Sequence, residues 1–146
     1  MANFKLSQLP TAAALTGDEL ILIVQSGQTR RSTAALVADL RKGSWQAPSL
    51  NAPWANYGDP FTTAAYRRDA NRVQLRGLVK GGTGSSVVLT LPAGFRPGGQ
   101  LLFAAVSDST APTRIDVKPN GEVLLSTPQS DVMGWLSLDG VTFVAE

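Results

Sequence analysis

The chain has 146 residues, the length of one ordinary globular domain or two small ones, and 43% of them are apolar, enough for a core without a disulfide or a metal clip. It contains neither cysteine nor histidine, which excludes Ser-His-Asp and Cys-His catalysis, thiolate zinc sites and imidazole-ligated metals. The formal net charge of +2 gives no argument for nucleic acid, and we predict no nucleic-acid partner, no metal and no cofactor.

The hydropathy pattern gives no sign of a membrane segment. The longest purely apolar run, residues 20–24, is far shorter than the roughly 20 residues that cross a bilayer. Residues 1–20 lack the basic start and apolar middle of a signal peptide. We therefore expect a soluble chain that is made in a cytoplasm and does not insert into membranes.

Residues 1–42 predict a small hairpin followed by a short helix. The run 19–25 has the branched apolar composition of a buried strand, 26–28 turn the chain, and 29–31 form a short return strand. Ser32 or Thr33 can cap a helix that runs to about Lys42. Since so short a helix is not stable alone in water, this part either self-associates, for example as three copies around an axis, or packs as in a compact monomer. The candidate contact residues are Leu6, Leu9, Leu20, Leu22, Leu36, Leu40 and, in the following segment, Trp45.

The composition shifts after the helix. Residues 43–49 combine Trp45 and Pro48 with small residues, which is typical of a connector that enters a new domain. We therefore predict a connector over 43–49 and a second domain over 50–146.

The second domain is predicted to be antiparallel β. Asn120-Gly121 and Asp139-Gly140 are typical of type I′ turns and predict two hairpins. Short strands with even spacing and no helical period indicate a β-sandwich or a jelly-roll-like barrel, so that the whole chain is mainly β. The candidate strands are 61–68, 72–80, 86–91, 100–107, 114–118, 122–127, 134–138 and 141–145.

Charge is distributed unevenly in this domain. Residues 67–80 carry five basic residues and one acid, whereas 108–146 carry six acids and two basic residues. The two stretches can neutralise each other if they form neighbouring strands or lie on facing surfaces of identical subunits. The alternative is that the basic stretch forms an anion-binding face. Within 72–80 the strand period places Val73 and Leu75 on one side, and Arg72, Gln74 and Arg76 on the other.

Little in the sequence points to catalysis. The glycine-rich run 80–86 lacks the lysine and the following helix of a phosphate-binding loop, so it predicts a hairpin loop. No feature marks a pair of carboxylates for glycoside hydrolysis, and we predict that the chain is not an enzyme.

Aromatic residues give a better functional indication. With Arg67 and Arg68 as polar partners at the ring edge, five aromatic residues can offer flat faces to sugar rings: Trp45, Trp54, Tyr57, Tyr66 and Trp135. Tyr57 and Tyr66 either lie in the core or serve in this way. Trp54 and Trp135 fall among apolar or small residues, which favours the core for both.

Several segments resemble a known class of proteins. Residues 5–10 (Lys-Leu-Ser-Gln-Leu-Pro), 15–20 and 24–30 resemble an N-terminal module of bacteriophage tail fibre, tailspike and related virion proteins. Residues 90–97 (Thr-Leu-Pro-Ala-Gly-Phe-Arg-Pro) and 136–143 (Leu-Ser-Leu-Asp-Gly-Val-Thr-Phe) are similar to small C-terminal head domains of phage fibres and receptor-binding proteins.

The resemblance implies a homotrimer located in the virion. It implies that 1–42 dock to other virion proteins and that 50–146 form a head that attaches to a saccharide of the host surface. The short connector fits a compact spike rather than a long fibre. The alternatives are a head fibre or capsid decoration protein that stabilises the shell and, less favoured, a small polysaccharide-degrading enzyme.

Overall fold

The computed structural model describes residues 13–40, 42–110, 112–126 and 132–146. It divides into two compact units, Met1–Lys42 and Gly43–Glu146. Two of the candidate contact residues, Leu6 and Leu9, lie outside the described residues. Within the described ranges, no helix has both the length and the apolar character needed to cross a bilayer.

The described part of the first unit consists of a hairpin and one short helix. Strands β1 (Leu20–Gln25) and β2 (Gln28–Thr33) pair antiparallel, joined by Ser26 and Gly27, whose φ angles of 53° and 73° suit a two-residue hairpin turn. Helix α1 (Ala34–Asp39) is shorter than predicted, and its N-cap is Thr33, whose side chain accepts a hydrogen bond from the Leu36 N–H at 3.3 Å.

The prediction that the apolar run of β1 is buried is wrong. Leu20, Leu22 and Val24, which share one face of the strand, are 66%, 79% and 77% exposed. A strand is buried only when a second layer covers it, and the described part of this unit offers one neighbouring strand and a six-residue helix.

The described residues of the second unit form ten short strands, and every strand pair among them is antiparallel. The prediction of a mainly β chain with antiparallel sheets is confirmed, and the unit is sandwich-like. The strands are β3 (Ala55–Asn56), β4 (Ala65–Asp69), β5 (Arg72–Arg76), β6 (Leu78–Lys80), β7 (Ser86–Thr90), β8 (Leu101–Ala105), β9 (Thr113–Val117), β10 (Glu122–Leu125), β11 (Leu136–Ser137) and β12 (Thr142–Val144).

These strands form one sheet of four strands, in the order β7-β10-β9-β8, and two of three, β11-β6-β3 and β12-β5-β4. Alternate residues of each sheet point into one common core, as the strand period requires. Val123 and Leu125 enter it from the four-stranded sheet, whereas Val73 and Leu75 enter it from β5. Trp54 is also in this core, where its Nε1–H donates to the Ser86 hydroxyl at 2.9 Å.

The hairpin at Asn120-Gly121 is present between β9 and β10, but its turn is not type I′. Gly121 N–H donates to Lys118 O at 2.8 Å, and of the two dipeptide residues only Gly121 has a positive φ. Pro119 explains the difference, because its ring fixes the negative φ that the first central position of a type I turn requires.

The hairpin predicted at Asp139-Gly140 is wrong. Strand β11 pairs with β6 and β12 pairs with β5, so the two strands that flank this dipeptide do not pair with each other. Val73 pairs with Phe143, and Val79 pairs with Leu136. The chain therefore advances by six residues along β5 and β6, but by seven residues along the segment that joins β11 to β12. The segment around Asp139-Gly140 is therefore a bulge of one extra residue within a bent antiparallel ladder.

The bend on the opposite side of this ladder lies at Gly77, between β5 and β6. Gly77 has a φ of 105°, and its N–H donates to Asp139 Oδ1 at 3.0 Å. A Cβ atom at this position would lie 2.4 Å from the backbone oxygen of Thr63. Only glycine therefore fits where the chain passes from one three-stranded sheet to the next.

The predicted connector belongs to the second unit and follows two sheet edges. Gly43 N–H donates to Arg68 O at 2.9 Å, and Gln46 exchanges two backbone hydrogen bonds with Tyr66 of β4. Further along, Asn51 N–H donates to Val88 O of β7 at 2.9 Å. Segment 43–51 therefore covers the outer edges of β4 and β7 and fixes the position of Trp45 on β4.

Candidate functional site

A basic and aromatic surface lies on the outer side of β4 and β5. Because Val73 and Leu75 point into the core, Arg72, Gln74 and Arg76 point outward. Arg67 of β4 lies directly opposite Gln74 in the register. We call this surface the arginine–tryptophan face and define it as Trp45, Arg67, Arg72, Gln74 and Arg76.

Trp45 contacts the guanidinium groups of two arginines. The Cζ atoms of Arg67 and Arg76 lie 4.6 Å and 4.1 Å from the centroid of the Trp45 ring. Cation–π contacts of this kind contribute roughly 0.5–2 kcal/mol each, more as the pair loses water. Gly43 and Gln46, which hydrogen-bond to β4, hold the tryptophan in place over the two strands.

The two arginines differ in their polar partners. Arg67 donates through Nε to Gln74 Oε1 at 2.8 Å, and its Nη2 lies 3.4 Å from Asp69 Oδ2. The Arg76 side chain makes no hydrogen bond or ion pair with any described residue, and its Nε is buried without an acceptor. Arg67 is therefore held by the protein on three sides, whereas Arg76 is held by the tryptophan alone.

The basic residues of 67–80 do not form ion pairs with the acids of 108–146 among the described residues; the ion pairs lie within each of these two stretches. Among the described residues, the ion pairs of the unit are Arg67–Asp69, Arg114–Asp116 and Lys118–Glu122. Two acids of the acidic stretch bind backbone N–H groups instead: Asp108 accepts from Gly134 at 2.7 Å, and Asp139 accepts from Gly77. Among the described residues of the basic stretch, only Arg67 has an acidic partner, so Arg68, Arg72, Arg76 and Lys80 keep their positive charge; of these four, Arg72 and Arg76 lie on the arginine–tryptophan face.

Tyr66 and Arg68 have structural contacts. The Tyr66 ring is buried and meets the Phe95 ring edge to face, with centroids 5.0 Å apart, so it offers no free surface to a sugar. Arg68 donates through Nε to Ala70 O at 2.7 Å and through Nη1 to Gly94 O. Of the four residues predicted for ligand binding, only Arg67 belongs to the arginine–tryptophan face.

Tyr57 belongs to a different, smaller aromatic group. Its ring meets the Phe61 ring edge to face at 5.1 Å, and Lys80 Nζ lies 5.1 Å from the Tyr57 ring while donating to Tyr57 O at 2.9 Å. Phe61 is about half exposed. This group has one cation, which already binds a protein carbonyl, so it is the weaker candidate for an anionic or polar ligand.

The described contact residues predicted for the first unit are all exposed in the single chain. Leu20 and Leu22 lie on one face of β1, and Leu36 and Leu40 lie on α1. The two helix residues line a groove of about 510 Å³ together with Ile23 and Val37. Trp45, also predicted as a contact between subunits, lies on the arginine–tryptophan face, and its contact with another subunit stays a prediction.

Among the residues that the structure describes, two carboxyl groups have clearly shifted pKa values, and neither lies on this face. Hydrogen bonds from the backbone N–H groups of Thr16 and Gly17 lower the pKa of Glu19 from 4.5 to about 2. The hydrogen bond from Lys118 lowers the pKa of Glu122. Within the described ranges, no three acidic side chains come together as a metal site.

Sequence reasoning named Trp45 both as a possible face for sugar rings and as a contact between subunits, and it included Arg76 only in the alternative of an anion-binding face over 67–80. The strand period of 72–80 did place Arg76 on the outward side, and the aromatic residue was visible in the segment after the helix. The missing information was the path of 43–46 along β4, because a backbone pairing between segments twenty residues apart leaves no local pattern. Scans against protein-family models, curated proteins and solved structures found no match to this chain.

Proposed function

We propose that this chain is a non-enzymatic bacteriophage virion protein, a receptor-binding protein of the tail fibre or spike type, that attaches to a glycan of the host surface. Its second unit is the head, and the arginine–tryptophan face is the glycan-binding surface. The supporting observation is the Trp45 ring held against Arg67 and Arg76 on the outer side of a sheet. Aromatic rings combined with a few polar groups of fixed orientation are typical of saccharide sites.

The first unit is proposed to dock to other virion proteins and to join three copies of the chain. Its support is the set of exposed apolar side chains on β1 and α1, which a single described chain leaves in contact with water. Contiguous apolar surface of this kind marks protein contacts. We expect a homotrimer that acts in the assembled virion.

Binding to isolated surface polysaccharides tests the attachment role. The full chain is applied by biolayer interferometry to a panel of capsular polysaccharides, lipopolysaccharides and teichoic acids. We expect saturable binding to at least one of them and its loss in Trp45→Leu. Phe61→Ala, which alters the second aromatic group, is the matched control and should bind as the parent chain does, provided that the circular dichroism of all three proteins agrees.

Two results would overturn the attachment role. Binding to none of the polysaccharides together with stoichiometric binding to empty capsids would support the capsid decoration alternative. Release of shorter saccharides from a polysaccharide, detected as new reducing ends, would support the enzyme alternative.

A further inference from the structure

We infer that the glycan bound at the arginine–tryptophan face is acidic, and that Arg76 binds its oxyanion group, a carboxylate or a phosphate diester. This inference rests on the proposed function and adds the chemical class of the ligand. It depends on three features of the face: the position of Arg76 over the Trp45 ring, the free donors of its guanidinium group, and the second cation at Arg72.

The contact with Trp45 leaves donors of Arg76 available. Arg76 Cζ lies 4.1 Å from the centroid of the Trp45 ring, and the N–H donors of a guanidinium group lie in its own plane, where a carboxylate or phosphate can accept two of them side by side. Of the three nitrogens of Arg76, only Nε is buried without an acceptor, so the two Nη groups reach solvent. They are the donors that an oxyanion of the ligand would use.

Contact with Trp45 also prepares Arg76 for binding. A free arginine side chain loses conformational entropy when it is fixed by a ligand, and a side chain that is already fixed loses less. Arg76 Cζ lies 4.1 Å from the ring centroid, the closer of the two arginine contacts. Arg67, whose donors already bind Gln74 and Asp69, serves to position the tryptophan rather than the ligand.

Arg72 extends the site along the strand. It is exposed, points to the same outer side as Arg76, and makes no ion pair with the described residues. Four residues of a β-strand span roughly 13 Å, so the backbone positions of the two arginines suit two successive acidic groups of one polymer. This spacing favours a polymer with repeated acidic units over a single small anion.

The test uses three oligosaccharide probes and isothermal titration calorimetry with the full chain. The probes are a galacturonic acid hexamer, the same hexamer as its neutral methyl ester, and a glycerol phosphate oligomer. We expect at least one of the two acidic probes to bind, and the ester to bind at least about tenfold more weakly than the acid if the carboxylate is the ligand. The carboxylate and phosphate probes distinguish the two sources of the oxyanion.

Three variants assign the binding to Arg76. Arg76→Lys keeps the charge but loses the planar pair of donors, so we expect binding to weaken by about tenfold or more. Arg72→Gln should weaken binding of the galacturonic acid hexamer more than binding of a galacturonic acid dimer, a fourth probe that is too short to reach both arginines. Lys118→Gln removes one positive charge from the hairpin between β9 and β10 and should leave binding unchanged. Thermal unfolding of each variant confirms that it is folded.

The possible failures can be told apart. If neither acidic probe binds, or if Arg76→Lys and Lys118→Gln bind as the parent does, the inference is wrong. The same conclusion follows if duplex DNA binds as tightly as the preferred probe, because the face would then recognise charge alone. If neutral polysaccharides bind and Trp45→Leu abolishes that binding, the attachment role stands without an acidic ligand.

Discussion

Strand β1 of the first unit is more apolar than strand β5 of the second unit, yet its apolar side chains are much more exposed. Five consecutive apolar residues, 20–24, form most of β1, yet Leu22 is 79% exposed. Strand β5 alternates apolar and polar residues, and its apolar members Val73 and Leu75 are fully or almost fully buried.

The contrast shows that burial depends on what lies opposite a strand. β5 is the central strand of its sheet and packs over the core that the four-stranded sheet completes. The described part of the first unit has no second sheet. Burying a leucine or valine side chain fully stabilises a protein by roughly 1.5–3 kcal/mol, so this unit gains from any partner that supplies the missing layer.

The largest expected effect of a single substitution is at the bend of the second unit. In Gly77→Ala the new Cβ would lie 2.4 Å from Thr63 O, in a backbone conformation that alanine rarely adopts. Backbone strain and overpacking each destabilise a protein by roughly 1–3 kcal/mol, a large share of a typical domain's stability. Urea unfolding followed by tryptophan fluorescence measures the loss, since all three tryptophans, Trp45, Trp54 and Trp135, lie in this unit.

Gly99→Ala is the matched control for this variant. A Cβ at Gly99 would meet no atom within 4 Å, and its φ is not positive. Its unfolding free energy should stay within about 0.5 kcal/mol of the parent value. Equal stability of the two variants would show that the chain does not pass tightly under Thr63 at this bend.

A pair of leucine substitutions tests the comparison between the units. Leu125→Ala empties a fully buried position, so we expect it to lower the unfolding free energy of the second unit by roughly 2–5 kcal/mol. Leu22→Asp changes an exposed position in the first unit, so the fluorescence-detected unfolding of the second unit should not change. It should instead weaken self-association, which sedimentation equilibrium measures as a fall from three chain masses toward one.

The same pair can contradict the comparison. If the parent chain stays monomeric at high concentration, the exposed apolar face of β1 does not have to be covered by another copy of the chain. Unchanged trimer mass in Leu22→Asp would place the subunit contact elsewhere in the chain.

The smallest expected effect concerns the turn before β1. Glu19 accepts hydrogen bonds from Thr16 N–H at 2.7 Å and Gly17 N–H at 2.8 Å, which lower its pKa to about 2. Because the folded pKa lies below the unfolded value of 4.5, the stabilisation by Glu19 is complete above about pH 4.5 and is lost as the pH falls through 2. In thermal unfolding followed by circular dichroism, the parent chain should therefore have a higher unfolding temperature than Glu19→Gln at pH 6. This difference in unfolding temperature should shrink between pH 4.5 and 2.

Asp18→Asn is the control for the acid titration. Asp18 precedes Glu19, is exposed, and its side chain makes no hydrogen bond to the described residues. If Glu19→Gln and Asp18→Asn give the same pH profile, the backbone hydrogen bonds to Glu19 do not stabilise this turn.

The amino-acid sequence by itself determined the local features of this protein. The strand period of 72–80 predicted which side chains of β5 share a side, and the hydroxyl residues before an apolar run predicted an N-cap at Ser32 or Thr33, of which Thr33 is the cap. The hairpin between β9 and β10 also followed from its turn residues. These features depend on neighbours within a few residues, whose preferences are visible in the chain itself.

The tertiary structure decided the features that depend on pairing between distant segments. It turned Asp139-Gly140 into a bulge opposite Gly77, buried Tyr66 against Phe95, and placed Trp45 on Arg67 and Arg76. It also left the apolar face of β1 uncovered in the single chain. A local sequence pattern indicates which environment a residue favours, but only the fold determines which surface lies opposite that residue. The opposite surface then determines whether the residue belongs to the core, to a bend or to a binding face.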